Sequence, residues 1–529
     1  MNFKRKLWWA QHKTDVYKYG TILSLVLIVT ISIIYFTYSK FSSSNEMTMY
    51  ETTVEPFIKN DYFIASYIDG EWSNSMPGKN DGYIIDKVVC DNGATGTWDY
   101  NNWEIRISNA TKKTKCSLFF VTGSLIDVEL YQGLIPVTYN SSGDVVVADT
   151  NTKWYDYSNH EWANAVLVNC ADSAIKSKYF DSNNKVLSSA VGKTISMDEI
   201  MQMYVYIPRY KYQLFNAEDG TSKPQAINIT FESKTTAKST GTKNGEWLTH
   251  PAFTFGDKEL AGIWVGKFET SNTSALPKIV PNVSSLRSMT VSAQFNTSRL
   301  MTTTLASTYG TSTNDDSHMM KNMEWGAVAY LSSSIYGRYT NASTCIESGC
   351  EVWINNNSSY TTGCAGSSVS ASKVSTCNAW NTATGVNAST TGNIYGIYDM
   401  SGGASEYVMG NYNDTISDSG FSSMLEAKYY DKYTASTDFT KYHLGDATKE
   451  TLKTKSSGRN SWYGDYSYSV YSSGPWVVRG GSYDAGAYAG VFYFRILSGH
   501  IWHENYEFIT PQSTDNILCP ANNPRNPHI

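Results

Sequence analysis

The segment RILSGHIWHENY (495–506) mixes Arg495, His500, Trp502, His503 and Glu504 in no repeating order. A strand with one buried face needs alternation, and this mixture offers none. It suits a contact surface instead, because Tyr and Trp supply large rigid area at low entropic cost while Arg and His add charge. Tyr488 lies just upstream, so Tyr488, Arg495, His500, Trp502 and His503 are the candidate ligand-binding residues. The competing reading keeps Tyr488 and Trp502 as core aromatics. His500 and His503 also form an HxxH pair followed by Glu504, a weak metal spacing that a simple exposed pair explains better.

Thiol chemistry is the next candidate. The eight cysteines are Cys90, Cys116, Cys170, Cys345, Cys350, Cys364, Cys377 and Cys519, and none forms a CxxC pattern. An even number suits disulfides in an oxidising compartment. Local pairing is the simplest expectation: Cys90 with Cys116 across two strands, and Cys345 with Cys350 and Cys364 with Cys377 inside a Ser/Asn/Gly-rich stretch. Cys170 and Cys519 have no local mates.

The elements that would carry these residues begin with an uncharged, mostly apolar run from Tyr19 to Ser39. About 20 helical residues span roughly 30 Å, the thickness of a bilayer core. Lys4, Arg5, Lys6, Lys13 and Lys18 precede the run, and Glu46, Glu51 and Glu55 follow it. The positive-inside rule then puts residues 1–18 in the cytoplasm, a transmembrane helix at 19–39 and the bulk of the chain outside a single-pass cell membrane. A cleaved signal peptide would usually have a shorter apolar region.

The 529 residues suggest roughly three folded units. Charged residues are only 17% and aromatics 14%, which excludes a disordered chain. A net charge of −6 without a basic run excludes nucleic acid as a partner. After a polar linker (40–58), YIIDKVVC, WEIRISNA and KCSLFFV read as strands of a small β-sandwich-like domain over 59–125. Residues 126–195 read as a β and coil spacer. The segment from 197 begins as a short helix and becomes a strand around Val205 and Ile207; GIWVGKFETS is a further strand. Met319, Met323, Ala327, Val328 and Leu331 give a helix over 318–336, with Asn314, Asp315 or Asp316 as its cap. The large unit is expected to span 196–510 and to end in a polar tail, 511–529.

Five segments carry a resemblance: MYVYIPRY (203–210), GIWVGKFETS, MKNMEWGAVAYL (320–331), GIYDMSGGASEYV (396–408) and GPWVVRGGSYDAGAYAGVFYF (474–494). Together they resemble the formylglycine-generating-enzyme, or sulfatase-modifying-factor, family, whose domain is a variant of the C-type lectin fold. The resemblance implies an α+β, C-type lectin-like domain. It also implies a structural calcium held by the side chains of Asp399 and Glu406 and the backbone oxygens of Gly402 and Ala404, hard donors that suit this ion. The alternative is that Asp399 caps a turn and Glu406 pairs with Arg479. Gly403, Ser405 and Tyr407 depart from the family pattern of Asn, aromatic and Trp.

The family's copper-binding thiols fall on Ala485 and Gly490, neither of which can supply a thiolate. Catalytic residues are therefore expected to be none, although a formylglycine-type oxidoreductase acting on a cysteine substrate remains the alternative. The chain also resembles the variable proteins of diversity-generating retroelements, in which an aromatic-rich stretch after RGGS is diversified. The expected function is a membrane-anchored, surface-displayed receptor or adhesin for a protein or carbohydrate ligand. A purely structural wall component is the third class.

Overall fold

The computed structural model describes residues 63–499 apart from short internal stretches, of which 215–223, 340–349 and 436–443 are the longest, together with 12–14, 506–507 and 511–514. The expected membrane segment 19–39 and linker 40–58 lie outside the described residues. Among the described residues no helix is long and apolar enough to cross a membrane. The chain divides into two units, Met1–Thr122 and Gly123–Ile529; among the described residues both are dominated by strands with few helices.

In the first unit, β1 (Phe63–Ile68), β2 (Glu71–Ser73), β3 (Tyr83–Cys90) and β6 (Lys115–Thr122) form one sheet in the order β2–β1–β6–β3. The strands β4 (Thr95–Asp99) and β5 (Glu104–Ser108) form a separate ribbon. Ile105 and Ile107 are half-buried between exposed Glu104, Arg106 and Ser108, the alternation of a strand with one wet face. The ribbon closes on the sheet at Gly96, where a Cβ would come within 2.5 Å of Val88 Cγ1 and 2.8 Å of the Cys90 sulfur. Cys90 stands directly opposite Cys116 and is bonded to it.

The second unit is organised by a seven-stranded antiparallel sheet. Its members are β7 (Ile135–Tyr139), β8 (Val145–Val147), β9 (Asn164–Val168), β10 (Ile200–Pro208), β14 (Gly262–Gly266), β15 (Asp315–Ser317) and β21 (Pro511–Thr514), ordered β15–β21–β14–β10–β9–β7–β8. Every residue of β10 and of β14 is buried, as strands covered on both faces must be. A smaller antiparallel sheet places β11 (Tyr210–Gln213) between β12 (Asn228–Phe231) and β13 (Leu248–Thr249). A mixed sheet orders β17 (Asp431–Tyr433), β16 (Ser405–Tyr412), β18 (Trp476–Gly480) and β19 (Gly490–Leu497), with β20 (Tyr506–Glu507) also on β16.

Several expectations are corrected. Residues 126–195 are no spacer: β7, β8 and β9 belong to the central sheet, and the Trp264 indole donates to Glu129 O at 2.8 Å. Lys267 makes the same point in one side chain. It is fully buried and donates to Asn164 Oδ1 at 2.9 Å, Ile394 O at 2.6 Å and Gly396 O at 2.9 Å. The rings of Tyr139, Trp380 and Tyr398 stand 5.3–5.8 Å from its Nζ. Burial without a carboxylate partner pushes its pKa well down, and the three acceptors plus the rings replace lost water.

The polar tail is also corrected, because Pro511–Thr514 pairs with β14 on one side and β15 on the other. The short helix expected to lead into β10 is absent: residues 197–199 form turns. The helix expected over 318–336 is α3 (Asn322–Ser332), which follows α1 (Ser173–Tyr179) and α2 (Val291–Arg299). Asp315 and Asp316 belong to β15, so neither caps α3. Its N-terminal amides go elsewhere: Glu324 Oε2 accepts from Lys321 N at 2.7 Å, and Asp431 Oδ2 from Met323 N at 2.7 Å.

Of the other thiols, Cys364 and Cys377 are joined and Cys170 is buried and free. Cys345 and Cys519 lie outside the described residues.

Candidate functional site

The strand β18 ends at Arg479-Gly480 and turns through Gly481-Ser482, and Asp399 to Ala404 lead into β16. The two turns are stitched together, with Gly402 N donating to Gly480 O at 3.3 Å and Tyr483 N to Gly403 O at 2.8 Å. Gly402, Gly403, Gly480 and Gly481 all take positive φ, between 70° and 80°. The glycines at 403 and 480 also make room for acids. A Cβ on Gly403 would stand 2.4 Å from Glu269 Oε1, and one on Gly480 2.2 Å from Glu406 Oε2. The paired glycines therefore serve the backbone turn and the carboxylates beneath it.

Three fully or nearly fully buried acids meet there: Glu269, Asp399 and Glu406. Asp399 is well satisfied. Its Oδ1 accepts from the Asn355 amide at 2.8 Å, both oxygens lie 2.9 Å from Gly363 N, and Oδ2 accepts from Glu269 N at 3.4 Å. Burial nevertheless raises its pKa to about 6, against the lowering effect of those hydrogen bonds. Glu269 Oε1 accepts from Ala404 N at 2.8 Å. Sequence reasoning did not single out Glu269; the glycine at 403, where the family pattern has Asn, is the signal that a second side chain fills that space.

Glu406 differs from both. Its side chain is completely buried, and neither carboxylate oxygen has a hydrogen-bond partner. Burial, then the Glu269 charge, drive its pKa well above the carboxylate range. Arg479 stands opposite in the β16–β18 register, but its Nη2 donates to Val491 O at 3.0 Å and its Nη1 to Asp446 O at 3.4 Å. The guanidinium lies 5.4 Å from the Trp325 ring and 5.9 Å from that of Phe494. Of the alternative reading of these acids, the half in which Asp399 organises a turn therefore matches the geometry. The half in which Glu406 pairs with Arg479 does not.

A buried carboxylate lacking every donor must either bind a cation or hold a proton. The orphaned oxygens of Glu406 fit an implied calcium, and Asp399 and Glu269 would share its charge. Among the described residues, however, no group of three or more His, Cys, Asp or Glu side chains converges around one ion position. Gly402 and Ala404 flank the acids through their backbone.

The positions matched to copper-binding thiols are closed. Ala485 packs against the small cluster of Ile354, Ala371 and Ala489. A Cβ on Gly490 would stand 2.0 Å from Asp465 Oδ2, whose partner is Phe492 N at 3.0 Å.

Of the candidate contact residues, Tyr488 is 47% exposed on a short turn after the RGGS motif. Arg495 is exposed within β19, between buried Phe494 and Ile496. The first residues of the 495–506 segment thus do alternate, contrary to the sequence reading, because β19 runs on through Leu497. His500, Trp502 and His503 lie outside the described residues. The structure therefore puts Tyr488 and Arg495 on the exposed surface of the β19 region and leaves Asp399 and Glu406 buried.

Sequence reasoning missed the stretch 458–474, which lies alongside β19 and exposes Tyr468 and Tyr471. Its Tyr/Ser/Gly/Asn composition was the available signal.

No protein-family model matches this chain, and no curated protein is significantly similar to it.

Proposed function

We propose that the chain is a membrane-anchored, surface-displayed recognition protein. In this reading residues 19–39 anchor it, the N-terminus is cytoplasmic and a C-type lectin-like domain of the formylglycine-generating subtype faces outward. The domain acts as a receptor or adhesin akin to the variable proteins of diversity-generating retroelements. The observation that carries the reading is the exposure of Tyr488 and Arg495 beside two interlocked glycine turns over buried acids: a rigid support under an adaptable surface. Calcium at Glu406 and Asp399 would stiffen that support; its part is structural. The oxidoreductase alternative draws no support from Ala485 and Gly490, where the space beside Gly490 is taken by Asp465.

The test is binding by cells displaying the full chain to arrays of glycans and of extracellular protein domains. A ligand bound by the parent should be lost with Tyr488→Ala plus Arg495→Ala while the melting temperature holds. Ligands that ignore both changes would locate recognition elsewhere, and oxidation of a Cys-containing peptide on adding copper would restore the enzyme reading.

A further inference from the structure

Cys90 is bonded to Cys116 and Cys364 to Cys377, and Cys350 is bonded as well. The partner of Cys350 is one of the two cysteines outside the described residues, Cys345 and Cys519. Cys345 stands five residues before it in sequence and closes by far the shorter loop. That leaves Cys519 and Cys170, the one free thiol among the described residues.

Cys170 sits where the chain leaves β9, and its backbone amide donates to Thr308 O at 2.8 Å. Its sulfur lies against Gly310, where a Cβ would come within 2.6 Å of it. Gly310 ends the short helix Ala306–Tyr309 with a φ of 75°, and its carbonyl accepts from the Gln132 amide at 3.1 Å. Cys170 is 8% exposed and Gly310 half-buried, so the thiol lies just under the surface of the unit.

The strand β21 heads for the same place. It pairs antiparallel with β15, Thr514 opposite Asp315, Ser513 opposite Asp316 and Gln512 opposite Ser317. An antiparallel partner runs against the chain that enters β15 from Gly310, so the C-terminal end of β21 points toward Gly310. Gly310 stands five residues before Asp315, and Cys519 five residues after Thr514. Five extended residues reach about 17 Å. On the β15 side, the turn in which Asp315 N donates to Ser312 O at 3.1 Å makes the way back to Gly310 shorter than that. Cys519 is therefore within reach of the Cys170 sulfur.

We propose that a disulfide joins Cys170 to Cys519 and clamps β21 in its place between β14 and β15. The inference rests on the outward-facing half of the reading above, because that location supplies the oxidant. The strand has only four residues, and the first, Pro511, brings no amide hydrogen to the ladder, so a covalent link beyond its end adds what its own pairing lacks. Burial, against a smaller opposing effect of the Lys176 charge, pushes the Cys170 thiol pKa up and disfavours its thiolate. Cys519 accordingly attacks the disulfide of a small-molecule or protein oxidant and releases one oxidant thiol. Cys170 then attacks the Cys519 sulfur of that mixed disulfide and releases the second. The two cysteine thiols give up two electrons and two protons, and the oxidant's disulfide takes them up.

The test uses the full chain expressed on cells. Free thiols are alkylated with iodoacetamide in denaturant, the protein is digested without reductant, and the peptides are read by mass spectrometry. A peptide pair linking Cys170 to Cys519 is expected and should vanish on reduction. Cys519→Ser should turn Cys170 into an alkylated thiol and lower the melting temperature. Cys170→Ser plus Cys519→Ser should melt no lower than Cys519→Ser alone, since a single bond is lost either way.

Alkylated Cys170 and Cys519 beside intact Cys90–Cys116 and Cys364–Cys377 pairs would overturn the inference and leave the outward-facing reading standing. Alkylation of every cysteine would remove both. Cys519 linked to Cys345, to Cys350 or to a second copy of the chain would overturn the pairing. An unchanged melt of Cys519→Ser would overturn the clamp.

Discussion

At the scale of single residues, Glu406 poses a clear electrostatic problem: burial and the neighbouring acids Glu269 and Asp399 oppose its charge, its own backbone amide and the Arg479 charge relieve it only in part, and neither carboxylate oxygen has a hydrogen-bond partner. Calcium and protonation are the two solutions, and they differ in sign with pH. A carboxylate whose folded pKa is raised costs stability above that pKa, and the cost is relieved as pH falls. Asp399, raised from 3.8 to about 6, follows the same rule. In chelator, therefore, these two acids favour the folded state more as pH drops from 7 to 5; with calcium bound that gain disappears. Thermal melts across this window, with and without calcium, are the measurement. A saturating ion at a hundredfold excess over Kd adds about 2.7 kcal/mol, and both Asp399→Ala and Glu406→Gln should abolish that increment. Superimposable melts at every pH would mean that Glu406 simply holds a proton. At the surface, Tyr488→Ala should leave stability within about 0.5 kcal/mol of the parent, as surface changes do. A loss of several kcal/mol would return Tyr488 to the core.

Among the elements, the junction between β15 and α3 rests on a buried charge network. His318 Nδ1 lies 2.8 Å from Asp316 Oδ1, and its Nε2 lies 3.2 Å from Glu324 Oε1. Burial alone would lower the His318 pKa, but the two carboxylates outweigh it and raise the value to about 9. A histidine raised in the folded state stabilises fully below its ordinary pKa of 6.5 and loses that contribution as pH climbs through about 9. Stability should accordingly decline between pH 7 and 10, and His318→Gln should flatten the decline. An equal slope in the variant would rule this out. Glu324→Ala should cost about 3 kcal/mol, since it strips a partner from a buried charge and frees the Lys321 amide; denaturant unfolding measures it.

The sequence was a fair guide to such elements where the local pattern was strong: Val205 and Ile207 lie in β10, and of the apolar spacing that marked the helix over 318–336, Met323, Ala327, Val328 and Leu331 lie in α3 while Met319 precedes it. It misled where structure is set by distant partners. Asp315 and Asp316 look like helix caps, but they pair with Thr514 and Ser513. Ile135–Tyr139 is a weak strand on its own terms and is stable because Asn164–Val168 joins it to β10. Pro511–Thr514 reads as tail because nothing local reveals that it bridges β14 and β15. The acids at 399 and 406 were legible from a motif, whereas Glu269 was signalled only indirectly, by the glycine at 403 that leaves room for its carboxylate.

For the whole molecule, recognition at a surface requires that surface to face outward. Protease added to intact cells should release most of the chain and leave a small membrane-bound stub, as the Lys/Arg bias around 19–39 expects; full protection would reverse the orientation. The measurement that bears most directly on recognition is a binding titration on cells displaying the full chain. It uses a ligand found on the arrays and is run beside melts of the same variants. Replacing Tyr488 and Arg495 together should reduce affinity by thirtyfold or more, about 2 kcal/mol, with the melting curve unchanged. Unchanged affinity in the folded variant would contradict recognition through this face.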